Sequence, residues 1–183
     1  SFLLLWNRFQ QNLRGDSRRG LVQLATNLGM DKVAARMTSS RDETGKALAA
    51  LTLGNLKDNG RWYLLQNMAE RESGLCAQIA AGALAKIDPL RAAPILISLF
   101  AERHEWPQTR VAAILGEMGS GTVSKPLVEA IRKAEETDIP RLLRFIPFIE
   151  PHAALLLVRD LLSTHNDSEV IAACLTAVRY LED

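Results

Sequence analysis

The chain has 183 residues and a nearly cancelled charge, 22 Lys and Arg against 21 Asp and Glu, with 48% hydrophobic but only 5% aromatic residues. The length suits one domain with a buried core, and the charge balance argues against a nucleic-acid-binding domain, which carries a basic excess. Abundant Ala and Leu favour helix, and no low-complexity tract or long like-charge block points to disorder.

The first predicted element is "SFLLLWNRFQQNLRG", residues 1–15, and two readings fit it. In one, Phe2, Leu5, Trp6, Phe9 and Leu13 form a single face of a helix that caps the first of the helical units that follow. In the other, "FLLLW" is the tail of a membrane-spanning helix that begins upstream of Ser1, with Trp6 at the interface. The stretch alone is too short to cross a bilayer, which takes about 20 apolar residues, and it lacks the charged start and cleavage site of a signal peptide. Arg8, Arg14, Arg18 and Arg19, against Asp16 alone, would then hold the chain on the cytoplasmic side. A start at Ser1 rather than Met leads us to expect a longer native chain.

Residues 16–183 are predicted to be a repeat domain. Leu53, Leu84, Leu115 and Ile146 follow one another at intervals of 31, and three residues after each stand Leu56, Ile87, Met118 and Ile149. Between them lie Gly54, Ala85, Gly116 and Pro147, and Val178 with Leu181 begins a further copy after 32 residues. A second helix follows each first one, with apolar positions at Val33, Ala34, Met37; Leu64, Leu65, Met68; Ile95, Leu96, Leu99; Leu127, Val128, Ile131; and Leu157, Val158, Leu161. Apolar residues at i, i+1 and i+4 make one helix face. Breakers such as "KDNG", "DPL" and "GSGTVSKP" separate the helices, and Pro107 and Pro140 fall where a first helix begins. A helical pair of about thirty residues cannot bury its apolar face alone, so copies must stack.

Three alanine pairs, Ala49–Ala50, Ala80–Ala81 and Ala112–Ala113, are predicted to let neighbouring helices approach closely. Pro147, where other units have a small residue, removes a backbone donor and is expected to kink or end its helix. Cys76 and Cys174 lie in apolar helical runs and read as buried thiols in a reducing compartment. The final "SEVIAACLTAVRYLED" supplies a first helix without a second, with Val170, Leu175, Val178 and Leu181 as inward candidates, and further repeats are expected beyond residue 183.

These units resemble HEAT repeats, in particular the short kind of phycobilisome-lyase-type proteins, and "DETGKALAALTLGNLKDNGRWYLLQNMAERES" is the unit nearest the family pattern. The resemblance covers residues from about Asp16 to Asp183. It implies an all-α, right-handed α-solenoid of about five helical pairs plus a terminal helix. The period is shorter than the 34 residues of tetratricopeptide repeats, and the signatures of those and of ankyrin repeats are missing.

Enzymes with HEAT-like folds set the tests for chemistry. Deoxyhypusine hydroxylase, which resembles this fold, uses several His–Glu pairs to hold two irons; here only His104–Glu105 makes such a pair, so no metal site is expected. Trp62 and Trp106 sit near helix starts, where packing is the expected role, and no basic track suggests nucleic acid. No phosphate loop or catalytic grouping stands out, so no cofactor is expected.

The resemblance further implies that the second helix of each unit lines a concave side. Opposite its apolar face that helix carries Tyr63, Gln66 and Asn67, then Pro94, Ile97 and Ser98, then Glu129 and Lys133, then Arg159. An apolar centre at Tyr63, Pro94 and Ile97 with a polar rim suits a protein or peptide partner. The expected function is a non-enzymatic protein–protein interaction scaffold in the cytoplasm or at the cytoplasmic face of a membrane, as the soluble part of a larger membrane-anchored protein. The alternative is a HEAT-like lyase or other enzyme subunit.

Overall fold

In the computed structural model, which describes residues 2–12 and 15–181 and leaves aside the side chains of Gln11 and Arg18, every regular element is helical and no strand occurs among the described residues. The chain divides into two compact units, 1–89 and 90–183. The first holds α1 (Phe2–Asn12), α2 (Gly15–Asn27), α3 (Met30–Met37), α4 (Glu43–Leu56), α5 (Trp62–Arg71) and α6 (Gly74–Ile87). The second holds α7 (Pro89–Glu102), whose first residue closes the preceding unit, then α8 (Gln108–Met118), α9 (Ser120–Lys133), α10 (Ile139–Leu143), α11 (Pro151–Thr164) and α12 (Ser168–Arg179).

Local chemistry sets the helix ends. Asp42 caps α4 by accepting from the N–H groups of Thr44 and Gly45 at 3.1 and 2.9 Å, and Asp167 caps α12 by accepting from those of Glu169 and Val170. At the other end of α4, Lys57 takes a left-handed conformation, and the N–H groups of Lys57 and Asp58 close on the carbonyls of Gly54 and Leu53.

The aligned first-helix positions Leu53, Leu84, Leu115 and Ile146 are all fully buried. In the second helices Leu65, Leu96, Leu127 and Leu157 are equally sealed, whereas Leu64, Ile95 and Val128 are half-buried and Val33 is exposed. Within the first unit α6 packs along α4 so closely that a methyl added at Gly54 would sit 2.7 Å from both the Cα and the Cβ of Ala83. Ala49, Ala50, Ala80 and Ala81 lie buried, as the alanine pattern predicts; Ala112 is only half-buried and Ala113 is exposed. Of the inward candidates Val170 is buried, Val178 and Leu181 are half-buried and Leu175 is exposed, and Cys174 and Ala177 complete the buried face of α12.

Pro147 does end its helix. The first helix of that unit is reduced to the five residues of α10, followed by a 3-10 turn at Ile146–Phe148. Without an N–H, Pro147 cannot bond back to Leu143, and its ring excludes the carbonyl there.

The N-terminal helix corrects two expectations. Its buried face is Leu3, Trp6, Asn7 and Gln10, whereas Phe2, Leu5 and Phe9 point outward; Leu13 lies outside the described residues. Trp6 is not placed for a membrane interface, because it is buried and its indole N–H donates to the Leu21 carbonyl at 3.4 Å. The reason is a polar network that counting apolar residues overlooks. Asn7 donates to Thr52 Oγ1 and accepts from Asn55 Nδ2, both at 2.8 Å, and Lys86 Nζ reaches Asn55 Oδ1 at 3.3 Å. Buried amides are tolerated when bonded in this way, so the half-polar stripe of α1 faces α4. No described helix is long and apolar enough to cross a membrane.

Gly54→Val is expected to lower unfolding free energy by roughly 2–4 kcal/mol, because the backbones of α4 and α6 must separate to admit it. Gly116→Ala, whose methyl would meet only a Phe148 ring carbon at 3.5 Å, is expected to be neutral or to stabilise by up to about 1 kcal/mol. Urea denaturation of the two variants separates these outcomes.

Candidate interaction groove

Five of the nine predicted site residues converge on one feature. In the second unit α7 and α9 flank a groove of about 370 Å³. The α7 wall is Pro94, Ser98 and Ala101, and the α9 wall is Pro126, Glu129, Ala130 and Lys133. Ile97 also lines it, but at 2% exposure it is a sealed floor and not the exposed contact expected for it. Ala134 and Asp138, from the linker after α9, close one end.

Proline shapes both walls. Pro94 and Pro126 stand inside continuous helices, where neither can donate to the carbonyl four residues before it, Leu90 in α7 and Thr122 in α9. Their flat rings and the neighbouring alanines leave the walls shallow and apolar. Glu129 and Lys133 lie one turn apart on the rim, yet neither has an ion-pair partner among the described residues. Two exposed charges of opposite sign are thus left free to meet a ligand.

The closed end is braced by polar side chains. His104 Nε2 lies 3.2 Å from Asp138 Oδ1, and the Arg141 guanidinium donates to the carbonyls of Ala101 and Arg103 at 3.0 and 2.7 Å. Burial pulls the Arg141 pKa below the usual arginine range, opposed by nearby Asp138 and Glu105. His165 Nδ1 meets Glu136 Oε1 of the same linker at 3.0 Å. Beneath the loop, Trp106 packs on Phe100 with ring centroids 5.6 Å apart; Trp106 and Trp62 are both buried, as their position near helix starts suggests.

The other predicted site residues are placed separately. Tyr63, 77% exposed, and Asn67 stand on α5 in the first unit, where half-buried Gln66 accepts from Trp62 Nε1 at 3.1 Å and donates to Glu70 at 2.7 Å. Arg159 is exposed on α11 and takes no part in lining the groove. Sequence reasoning missed Ala134 and Asp138, whose only signal was a linker acid able to reach His104. It also missed a larger groove, about 610 Å³, beside the shortened α10, lined by Leu143 and Arg144 and, from α12, Glu169, Ala173 and Thr176 with Tyr180 just beyond.

The His104–Glu105 pair is divided, His104 turning to Asp138 and Glu105 to Arg103 at 3.3 Å. Among the described residues no three His, Cys, Asp or Glu side chains gather as a metal site would require. Burial raises the thiol pKa of both Cys76 and Cys174, with the Glu43 and Glu72 carboxylates adding to the effect at Cys76. No protein-family model matches the chain, and a search of curated proteins finds no match.

The raised thiol pKa values give a signed expectation. The folded chain keeps both thiol protons where the unfolded chain, titrating at about 8.5, loses them. This contribution to stability is therefore present below that pH and is lost as pH rises through the folded values. Alkylation at about pH 8 is expected to be at least roughly tenfold slower in the folded chain than in denaturant, as timed by mass spectrometry. Equal rates would mean that the thiols are accessible.

Proposed function

We propose that the chain is a non-enzymatic scaffold of HEAT-like repeats, stacked as a right-handed α-solenoid, and that it holds a polypeptide segment of a protein partner in the groove between α7 and α9. The stacking is supported by the buried 31-residue register of Leu53, Leu84, Leu115 and Ile146. One observation carries the binding role: a shallow groove walled by proline and alanine, with Glu129 and Lys133 unpaired on its rim. Apolar walls supply desolvation, and the two charges fix the direction in which an extended chain can lie. Tyr63 offers a second contact in the first unit through its exposed ring. Solvent-facing prolines and alanines also suit an adaptable peptide ligand better than a buried substrate, which needs a deep enclosed pocket. We place the scaffold in the cytoplasm at a membrane face, as part of a larger anchored protein; two unpaired buried thiols and the basic N-terminal segment are in keeping with that location.

Peptides selected on the purified chain from a displayed random library test the groove. Filling it with Ser98→Arg and Ala130→Arg is expected to weaken the selected peptides at least about tenfold, whereas Ala113→Arg on exposed α8 should leave them unchanged. Undiminished binding by a groove-filled variant with unaltered circular dichroism and melting would remove the groove from consideration.

A further inference from the structure

One flank of the exposed face of α1 carries three large apolar side chains, Phe2, Leu5 and Phe9, at i, i+3 and i+7, all at least half exposed, with Leu4 exposed on the far side of Arg8. The helix cannot turn this stripe inward. Leu3 and Trp6 are set in the core, and Asn7 is bonded to Thr52 and Asn55 of α4, so the flank beside Trp6 that carries the stripe is held outward. Three such residues on an 11-residue helix are more than isolated surface apolars. They are too few to span a bilayer and have the spacing of a helix that lies along one.

The charge of α1 and of the segment that contains it indicates what covers the stripe. α1 has no acidic residue, and its one charge, Arg8, is exposed beside the apolar stripe. Residues 1–41 contain seven Lys or Arg against two Asp, whereas residues 42–183 contain 15 against 19. The near-neutral total therefore conceals a basic N-terminal segment and an acidic remainder. Lys32, Arg36 and Arg41 are exposed, and Arg19 pairs locally with Asp16. A negatively charged surface attracts the first segment, to which α1 belongs, and repels the second. A protein partner would need a complementary acidic rim to use this excess. An anionic lipid surface uses both features together, apolar side chains entering the acyl boundary and cations meeting the headgroups.

We infer that α1 docks in plane on the surface of an anionic bilayer, with Phe2, Leu5 and Phe9 inserted and Arg8 at headgroup level. This deepens the membrane-face location proposed above, does not depend on the groove, and requires no membrane-spanning segment. Co-sedimentation of the 183-residue chain with phosphatidylserine–phosphatidylcholine vesicles, and with vesicles of phosphatidylcholine alone, tests it separately from peptide binding. The expected result is preferential binding to the anionic vesicles, weakened by salt. Phe2→Ser, Leu5→Ser and Phe9→Ser together should lower partitioning roughly a hundredfold. Since all three side chains face solvent, the variant should retain its circular dichroism and melting temperature. Arg8→Glu should reduce the preference for anionic over neutral vesicles about severalfold. Three results would each overturn the inference: no binding to anionic vesicles, equal binding to both kinds, or undiminished binding by the triple variant. A concentration-dependent dimer that the triple variant abolishes, without vesicle binding, would assign the face to a second copy of the chain and equally overturn it.

Discussion

At Gly54 there is no room for a methyl group. A Cβ there would lie 2.7 Å from the backbone and side chain of Ala83, so α4 and α6 meet almost backbone to backbone. Close packing of this kind tolerates little change in volume, and it fixes which residues may stand on either side. Ala49, Ala50, Ala80 and Ala81 are buried on the same pair of helices, and at Gly54 itself nothing larger would allow the approach. Once the small residues have brought the helices together, Leu53 and Leu84 fill the space that remains and lose all exposure. The layer is thus set by what is missing from the side chains as much as by what they contain.

The register of the repeat was legible because burial recurs with the period of the unit. Leu53, Leu84, Leu115 and Ile146 needed only their spacing to be found, and Pro147 announced the break in α10 through its missing donor. The face of α1 was not legible in the same way. An apolar count favours Phe2, Leu5 and Phe9, yet the core takes Asn7, because the hydroxyl of Thr52 and the amide of Asn55 stand ready on α4, some 45 residues later in the chain. Polar complementarity across such a distance leaves no periodic trace. Ile97 failed for a related reason. Its place on the wheel lies near the edge of the α7 apolar face, and whether an edge residue is sealed depends on what packs beside it. Ala113 shows the reverse case: a small residue in the expected position that no helix covers.

The groove illustrates how local backbone chemistry becomes a surface. Pro94 and Pro126 are separated by one repeat, and each interrupts the hydrogen-bond ladder of its own helix. Helices normally bear such a loss only where something else is gained. Here the two rings face one shallow cleft, whose end is held by an arginine bonded to two carbonyls and by a histidine paired with Asp138. That end is therefore held in position, although the walls are made largely of small residues. In the proposed binding role, a surface built in this way would distinguish shape and direction more than chemical detail, since backbone and proline contacts are similar for many sequences.

The amides that join α1 to the core also have a mechanical meaning. Asn7 is bonded to Thr52 and Asn55, and Asn55 in turn accepts from Lys86 on α6. A load applied at the amino terminus would pass through directional bonds into two central helices instead of being absorbed by slippage of a greasy contact. Sliding α1 by one turn would strand several buried polar atoms at once, each at a cost of about 1–3 kcal/mol. The terminal helix thus behaves as a keyed joint, which resists displacement along its axis until it detaches altogether.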